Sequence, residues 1–188
     1  MCGRFTLTAS GDELASLFDL EQAPNLEPRY NIAPTQPVAV VRLDREGRRR
    51  EFTLMRWGLI PSWAKDIHIG NRLINARAET LTEKPAFRTA FRRRRCLIPA
   101  NGFYEWQKPT AGRKQPYFIG LPDRRPFAFA GLWEHWEGAD GSVLDSCAII
   151  TTAANERVRV LHDRMPVILE RTDFGDWLDP TTTPDRLF

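Results

Sequence analysis

An α+β fold is predicted: a single compact domain on a mainly antiparallel, curved, barrel-like β-sheet, with a few short helices and a positively charged groove. Three observations support the α+β architecture. Short apolar or alternating segments recur between turn residues along most of the chain, only a few stretches carry helical spacing, and no strand–helix–strand alternation occurs. At 188 residues the chain suits one domain, which at this size buries roughly 70% of its unfolded surface.

Taken in order, Ser10-Gly-Asp-Glu13 is a capping-box pattern, and Leu14, Leu17 and Phe18 follow it at helical spacing. Residues 37–43 and 51–57 read as strands flanking a polar turn at 44–50. Thr80-Leu-Thr-Glu83 is a second capping pattern, predicting a helix towards Phe91 that tolerates Pro85 only near its start. Strands are then expected around 97–98, 103–107, 116–119, 127–133 and 143–152, with a turn at Ala139-Asp-Gly141. A short helix at 155–161, a strand at 166–169 and a helix at 172–178 complete the reading.

Hydrophobic residues make up 42% and charged residues 27%, the balance of a folded globular chain. Lys plus Arg is 27 against 24 for Asp plus Glu, so the net charge of +3 does not by itself argue for a polyanionic partner. The excess is concentrated in Arg48-Arg49-Arg50 and Arg92-Arg93-Arg94-Arg95. The first run reads as solvated surface; the second leaves open a phosphate contact by at least one member. Cys2, Cys96 and Cys147 are odd in number and widely spaced, so no disulfide framework is expected. They form no metal-type cluster with His68, His135 or His162, and neither GxGxxG nor a phosphate-binding loop occurs, so no metal or cofactor is expected. The N-terminus lacks the blocks of a signal peptide, and no apolar run is long enough to cross a membrane. A cytosolic protein is expected, or a nuclear one in a eukaryote.

Cys2 is the leading candidate for chemistry. Removal of Met1 would put an α-amine and a thiol on one residue, both partly available as nucleophiles near neutral pH. An aldehyde meeting this pair forms an imine with the amine, and the thiol then closes a hydrolysis-resistant thiazolidine ring. An internal cysteine cannot do this, because its nitrogen is an amide. Position alone also fits an accidental cysteine. Glu105 lies in Asn101-Gly-Phe-Tyr-Glu-Trp106, where strand alternation puts Phe103, Glu105 and Gln107 on one face. A carboxylate among aromatics is suited to moving protons near neutrality, or equally to pairing with one of the many arginines. His162, in Leu161-His-Asp-Arg-Met-Pro166, sits where a helix is expected to hand over to a strand; a single histidine is more often structural. Asn75 offers a neutral amide for orienting a nucleophile.

Six motifs occur in order: Met1-Cys-Gly-Arg-Phe5, Arg29-Tyr-Asn-Ile-Ala-Pro34, Arg56-Trp-Gly-Leu-Ile-Pro-Ser-Trp63, Ile74-Asn-Ala-Arg-Ala-Glu79, Arg95-Cys-Leu-Ile-Pro-Ala-Asn-Gly-Phe-Tyr-Glu-Trp106 and Leu161-His-Asp-Arg-Met-Pro166. Together they resemble the SOS response-associated peptidase (SRAP) family, from residue 2 to about residue 180. The resemblance implies a DNA-damage-response protein that senses abasic sites in single-stranded DNA and crosslinks to them through its N-terminal cysteine. Cys2 would be the nucleophile, Asn75 would orient its amine or thiol, and Glu105 would shuttle protons and assist autocatalytic loss of Met1. His162 would promote opening of the deoxyribose ring, and lyase activity is a further implied capacity. Arg4 and Arg77 match phosphate clamps, and Trp63 matches an aromatic wedge against bases; guanidinium forks suit phosphate, and an indole stacks on any base. A preference for single-strand/double-strand junctions stays open. No membrane partner is implied, and a monomer is expected. The chain stops at Phe188, earlier than the family pattern suggests, which raises the question of how the sheet edge is protected.

Two other functional classes remain. An N-terminal-nucleophile amidotransferase would use the Cys2 thiolate against a glutamine amide, with its own amine as base. A non-enzymatic module for single-stranded or modified DNA would bind without a covalent step.

Overall fold

The computed structural model describes residues 2–44, 46–107 and 112–183. Met1 and the C-terminal tail, on which processing and edge protection turn, lie outside them. Within the described residues the chain forms β1 (Phe5–Leu7), α1 (Gly11–Phe18), β2 (Arg29–Ile32), β3 (Pro37–Leu43), β4 (Arg50–Trp57) and β5 (Asn75–Arg77). It continues through α2 (Arg88–Arg93), β6 (Arg95–Ala100), β7 (Gly102–Gln107), β8 (Gln115–Gly120), β9 (Phe127–Glu137) and β10 (Val143–Ala153). It ends with α3 (Glu156–Arg159), β11 (Arg164–Pro166), β12 (Ile168–Leu169) and α4 (Phe174–Leu178).

Five strands close into a barrel in the order β10-β4-β3-β6-β9, with β9 returning to pair with β10. Closure satisfies the strand edges internally. Most pairings are antiparallel, as expected, but β10 runs parallel to β4 and to β5. Alternation cannot reveal this, because the middle of β10, Ser146 to Thr151, is buried on every residue. Val38 to Val41, Leu97, Ile98, Phe129, Cys147 and Ile149 are among the side chains buried there. A second sheet, ordered β2-β1-β7-β8, lies against the barrel. Phe5 from β1 meets Trp57 and Phe129 edge-on at 5.1 and 5.8 Å, and Phe103 from β7 meets Phe129 at 6.1 Å. These aromatic contacts fix the seam between the two sheets, and Cys2 and Glu105 stand beside it.

α1 starts where the capping box predicts. The Ser10 hydroxyl accepts from the Glu13 backbone N–H at 3.2 Å, and the Glu13 carboxylate accepts from the Ser10 N–H at 2.7 Å. Its buried Phe18 stacks on Phe174 of α4 at 5.3 Å. The helix expected from Thr80 to Phe91 is instead a 3-10 turn at Ala78–Thr80, further turns, and a six-residue α2 beginning only at Arg88. Pro85 is the physical reason: it has no N–H to donate and disfavours helical backbone at Lys84. The strand expected at 166–169 divides into β11 and β12, which pair with β10 and β9 respectively.

The arginine runs are tied into the fold. Arg48, Arg49 and Arg50 pair with Glu46, Glu21 and Asp19. In the second run, Arg94 is bound to buried Glu134, and Arg95 is itself buried. The Arg95 guanidinium donates to the carbonyls of Phe91 at 2.8 Å, Trp177 at 2.5 Å and Asp179. It thereby anchors α4, whose Trp177 indole donates to the Cys96 carbonyl at 2.8 Å. Arg92 and Arg93 are the members of this run that remain exposed.

Candidate active site

Cys2 precedes the first strand of the seam. The register of β1 on β7 sets Phe5 opposite Phe103, and the Tyr104 N–H donates to the Arg4 carbonyl at 2.9 Å. This pairing brings Glu105, the next residue along β7, beside the start of the chain. As the alternation predicts, Phe103 and Glu105 turn inward; both are buried, although Gln107 at the strand end is exposed. Cys2 is fully buried. Burial pushes its thiol up, and the Glu105 carboxylate pushes it further, against a smaller opposing pull from the Arg4 backbone N–H. The thiol is therefore held protonated at neutral pH, so any nucleophilic step there needs a base at hand, and Glu105 is the adjacent one.

Asn75 opens β5, the three-residue strand that pairs with the far half of β10, Asn75 opposite Ile149 and Arg77 opposite Thr151. Its amide Nδ2 donates to the Cys2 carbonyl at 2.9 Å. That bond fixes which way the amide faces and leaves the buried Oδ1 as an acceptor with no hydrogen-bond partner. An orphaned buried acceptor is costly, and the group it best suits is a donor on the same residue, the α-amine that loss of Met1 would create. An orienting role is expected of Asn75, and Oδ1 is the amide atom left without a partner.

His162 follows α3, its backbone N–H held by the Val158 carbonyl at 3.0 Å. Its ring is half-buried, and Nδ1 accepts from the Arg164 backbone N–H at 2.9 Å. The Asp163 carboxylate lies 2.9 Å from the same nitrogen, but that side chain is 86% exposed. One Nδ1 cannot accept and donate at once. In the neutral ring the backbone N–H is the partner, which puts the proton on Nε2. β11 then pairs with β10 so that Thr151 lies between Arg77 of β5 and Pro166 of β11. His162 and Asn75 are thus brought to opposite sides of one short stretch of β10.

Arg77 is exposed, two residues beyond Asn75 on the same side of β5. Arg4 is half-buried, with Nη1 donating to Asn31 Oδ1 at 2.8 Å, so this guanidinium is partly engaged inside the protein. Trp63 is 59% exposed on the loop between β4 and β5. That loop is fastened at its base: Leu59 N–H donates to the Leu73 carbonyl at 3.1 Å, and Ile60 N–H to Ser146 Oγ at 2.8 Å. Gly58 and Gly70 approach so closely that a Cβ on either would lie 2.5 or 2.6 Å from the other's carbonyl oxygen, and Gly58 has φ +130°. Trp136 reaches in to donate its indole N–H to the Ala64 carbonyl at 2.7 Å. Trp63 is thus held out on a braced loop that ends two residues before Asn75.

Two residues were passed over in the sequence. Arg164 places Nη1 and Nη2 2.6 and 2.9 Å from the two carboxylate oxygens of Glu79, and Nη2 also donates to the Thr151 carbonyl at 2.7 Å. Both lie inside motifs already singled out, but no spacing rule pairs residues 85 positions apart. Among the described residues, no group of His, Cys, Asp and Glu could hold a metal ion. The free, buried Cys96 and Cys147 have thiols pushed up mainly by burial, which suits packing rather than reactivity.

A profile of the SOS response associated peptidase (SRAP) family matches residues 1–187. Among curated proteins, the abasic site processing protein YoaM of Bacillus subtilis is 47% identical, across 100% of this chain and 83% of that protein. The abasic site processing protein HMCES of Xenopus tropicalis is 31% identical, across 99% of this chain and 68% of its own length. A crystal structure of a protein from Bacteroides thetaiotaomicron superposes with a TM-score of 0.89 at 26% identity, covering 99% of this chain and 84% of that one. One from Bordetella bronchiseptica gives 0.82 at 27%, covering 99% and 91%. The family profile over nearly the whole chain, the identity to these relatives and the shared fold together place the chain in the SRAP family.

Proposed function

We propose that this protein recognises abasic sites in single-stranded DNA and captures them covalently through Cys2. The observation that carries the proposal is the cluster itself: a buried thiol beside a buried carboxylate, with an asparagine bonded to the Cys2 carbonyl whose other amide atom is an unsatisfied acceptor. Relatives named as abasic site processing proteins support the choice of substrate.

Loss of Met1 frees the Cys2 amine, which Asn75 Oδ1 then holds by accepting one of its hydrogens. His162, with its proton on Nε2, hydrogen-bonds to the ring oxygen of the closed deoxyribose; as the C1′–O4′ bond breaks, the proton of the anomeric hydroxyl passes to that oxygen and the sugar opens to its aldehyde. The amine adds to that carbonyl, and water leaves as the imine forms. The thiol, protonated until then, gives its proton to Glu105, and its sulfur adds to the imine carbon. The proton passes to the ring nitrogen, so the thiazolidine forms with no net change in protons and no oxidant. Glu105 is also the available base for hydrolytic removal of Met1, the peptidase step; a strand-cleaving lyase step would proceed from the imine before the ring closes. Arg77 and Arg4 hold phosphates, and Trp63 stacks on a base next to the lesion.

Covalent capture tests this reading. Wild type and Cys2→Ala are incubated with single-stranded DNA holding one abasic site, then run on a denaturing gel. Wild type should leave an adduct that survives denaturant without reduction, and Cys2→Ala should leave none. Failure of the wild type to do so would sink the covalent reading and return the protein to simple DNA binding.

A further inference from the structure

We propose that the Glu79–Arg164 ion pair is a strap that positions His162 against Asn75 and Arg77, so that Glu79 and Arg164 are positioning residues for the capture reaction argued above. The strap crosses β10. Glu79 lies two residues beyond Arg77, just past β5, and its two carboxylate oxygens receive the Arg164 fork at 2.6 and 2.9 Å. Arg164 opens β11, and its Nη2 is also seated on the carbonyl of Thr151 at 2.7 Å. Thr151 is the residue of β10 that has Arg77 on one side and β11 on the other. A two-point guanidinium–carboxylate contact fixes direction as well as distance, which a single hydrogen bond does not.

The site needs such a tie. β5 and β11 are three residues each, so each has few ladder bonds with which to fix its side chains. The backbone N–H of Arg164 is also the donor to His162 Nδ1, at 2.9 Å. Anchoring the Arg164 side chain therefore anchors the group that sets the tautomer and tilt of the histidine ring. The charge pattern points the same way. A carboxylate two residues from exposed Arg77 weakens the local attraction for phosphate, so Glu79 opposes DNA binding unless it serves another purpose. With its side chain only 15% exposed, Arg164 turns both terminal nitrogens towards protein groups, Nη1 and Nη2 to Glu79 and Nη2 also to Thr151.

The strap is tested by separating binding from rate. Glu79→Gln and Glu79→Ala are compared with wild type for affinity to single-stranded DNA carrying a tetrahydrofuran abasic analogue, which has no aldehyde. They are then compared for adduct rate at saturating abasic DNA. The expected result is analogue affinity equal to or tighter than wild type, with the saturated rate down about 10- to 100-fold, the scale of a small misplacement at a reacting centre. The reversed pair, Glu79→Arg with Arg164→Glu, should recover part of that rate. Long-range proton–nitrogen spectra of the imidazoles give a second readout that needs no DNA. His162 should show a single Nε2–H form in wild type and a tautomer mixture in Glu79→Ala. Folded variants whose saturated rate stays within about twofold of wild type would overturn the strap. If wild type itself forms no adduct, the capture reading fails and the spectra alone decide: His162 signals unchanged in Glu79→Ala refute the strap.

Discussion

The two halves of β10 teach different lessons. Its first half, from Val143 to Ile149, pairs residue for residue with β9 and also with β4, and from Ser146 onward its side chains are fully buried. Its second half pairs only with the three-residue strands β5 and β11, and the side chains gathered there are polar: Asn75, Arg77, Glu79, His162 and Arg164. One half closes a barrel through its long ladder with β9. The other holds an amide oxygen without a partner and a carboxylate beside a cationic strand. The barrel provides a rigid frame from which short, poorly self-sufficient strands can present chemistry. Stability and reactivity should therefore separate on substitution.

The largest effect expected is on the reactive side. Glu105→Gln keeps the shape and removes the proton acceptor, so adduct formation should slow by about 10²–10⁴, while thermal unfolding shifts little. An unchanged single-turnover rate would take Glu105 out of the mechanism. Next comes the barrel side. Arg95→Ala removes the donor to the Phe91, Trp177 and Asp179 carbonyls, and stranding buried acceptors costs about 1–3 kcal/mol each before relaxation. A net loss of about 3 kcal/mol would lower Tm by roughly 6–12 °C for a chain of this size. The folded protein should still crosslink at near the wild-type rate, because the carbonyls that Arg95 holds belong to Phe91, Trp177 and Asp179, none of them a reactive residue. A normal Tm would mean that the clasp contributes nothing.

Smaller effects sharpen the contrast. Trp136→Phe deletes only the indole N–H that braces Ala64, a bond worth about 1 kcal/mol. Affinity for single-stranded DNA should fall by about fivefold if the brace holds Trp63 ready, with the saturated adduct rate almost unaltered. Equal losses in both would show that the loop serves the chemistry directly. Smallest is Arg77→Ala, which should flatten the salt dependence of binding by about 0.7 in log–log slope, one phosphate on a single strand. An unaltered slope would make Arg77 a surface residue only.

Much of this division is legible in the sequence, for identifiable reasons. The long strands β3, β4, β9 and β10 announce themselves through apolar runs bounded by turn residues, and α1 through its capping box. Cys2, Asn75, Glu105 and His162 stand out because motif order marks them, and the inward turn of Glu105 follows from alternation. β1, β5 and β11 do not show as strands, because three residues give too little pattern to distinguish from loop. The second capping pattern misleads because Thr80 and Glu83 obey a local rule that Pro85 overrides. The arginine run misleads in the opposite direction: composition marks Arg94 and Arg95 as surface charge, whereas burial against Glu134 and the α4 carbonyls makes them structural. The Glu79–Arg164 pair depends wholly on how β5, β10 and β11 come together, and no reading of neighbours along the chain contains it.

Intact-mass measurement of the purified protein, alone and after incubation with single-stranded DNA containing one abasic site, tests the covalent capture most directly. The expected result is a free protein lighter than the full chain by one methionine. After incubation, a second species should exceed it by the mass of the DNA less one water, stable to denaturant without reduction and absent from Cys2→Ala. A protein that retains Met1 and gains no mass, or an equally stable adduct on Cys2→Ala, would contradict Cys2 as the residue that captures the lesion.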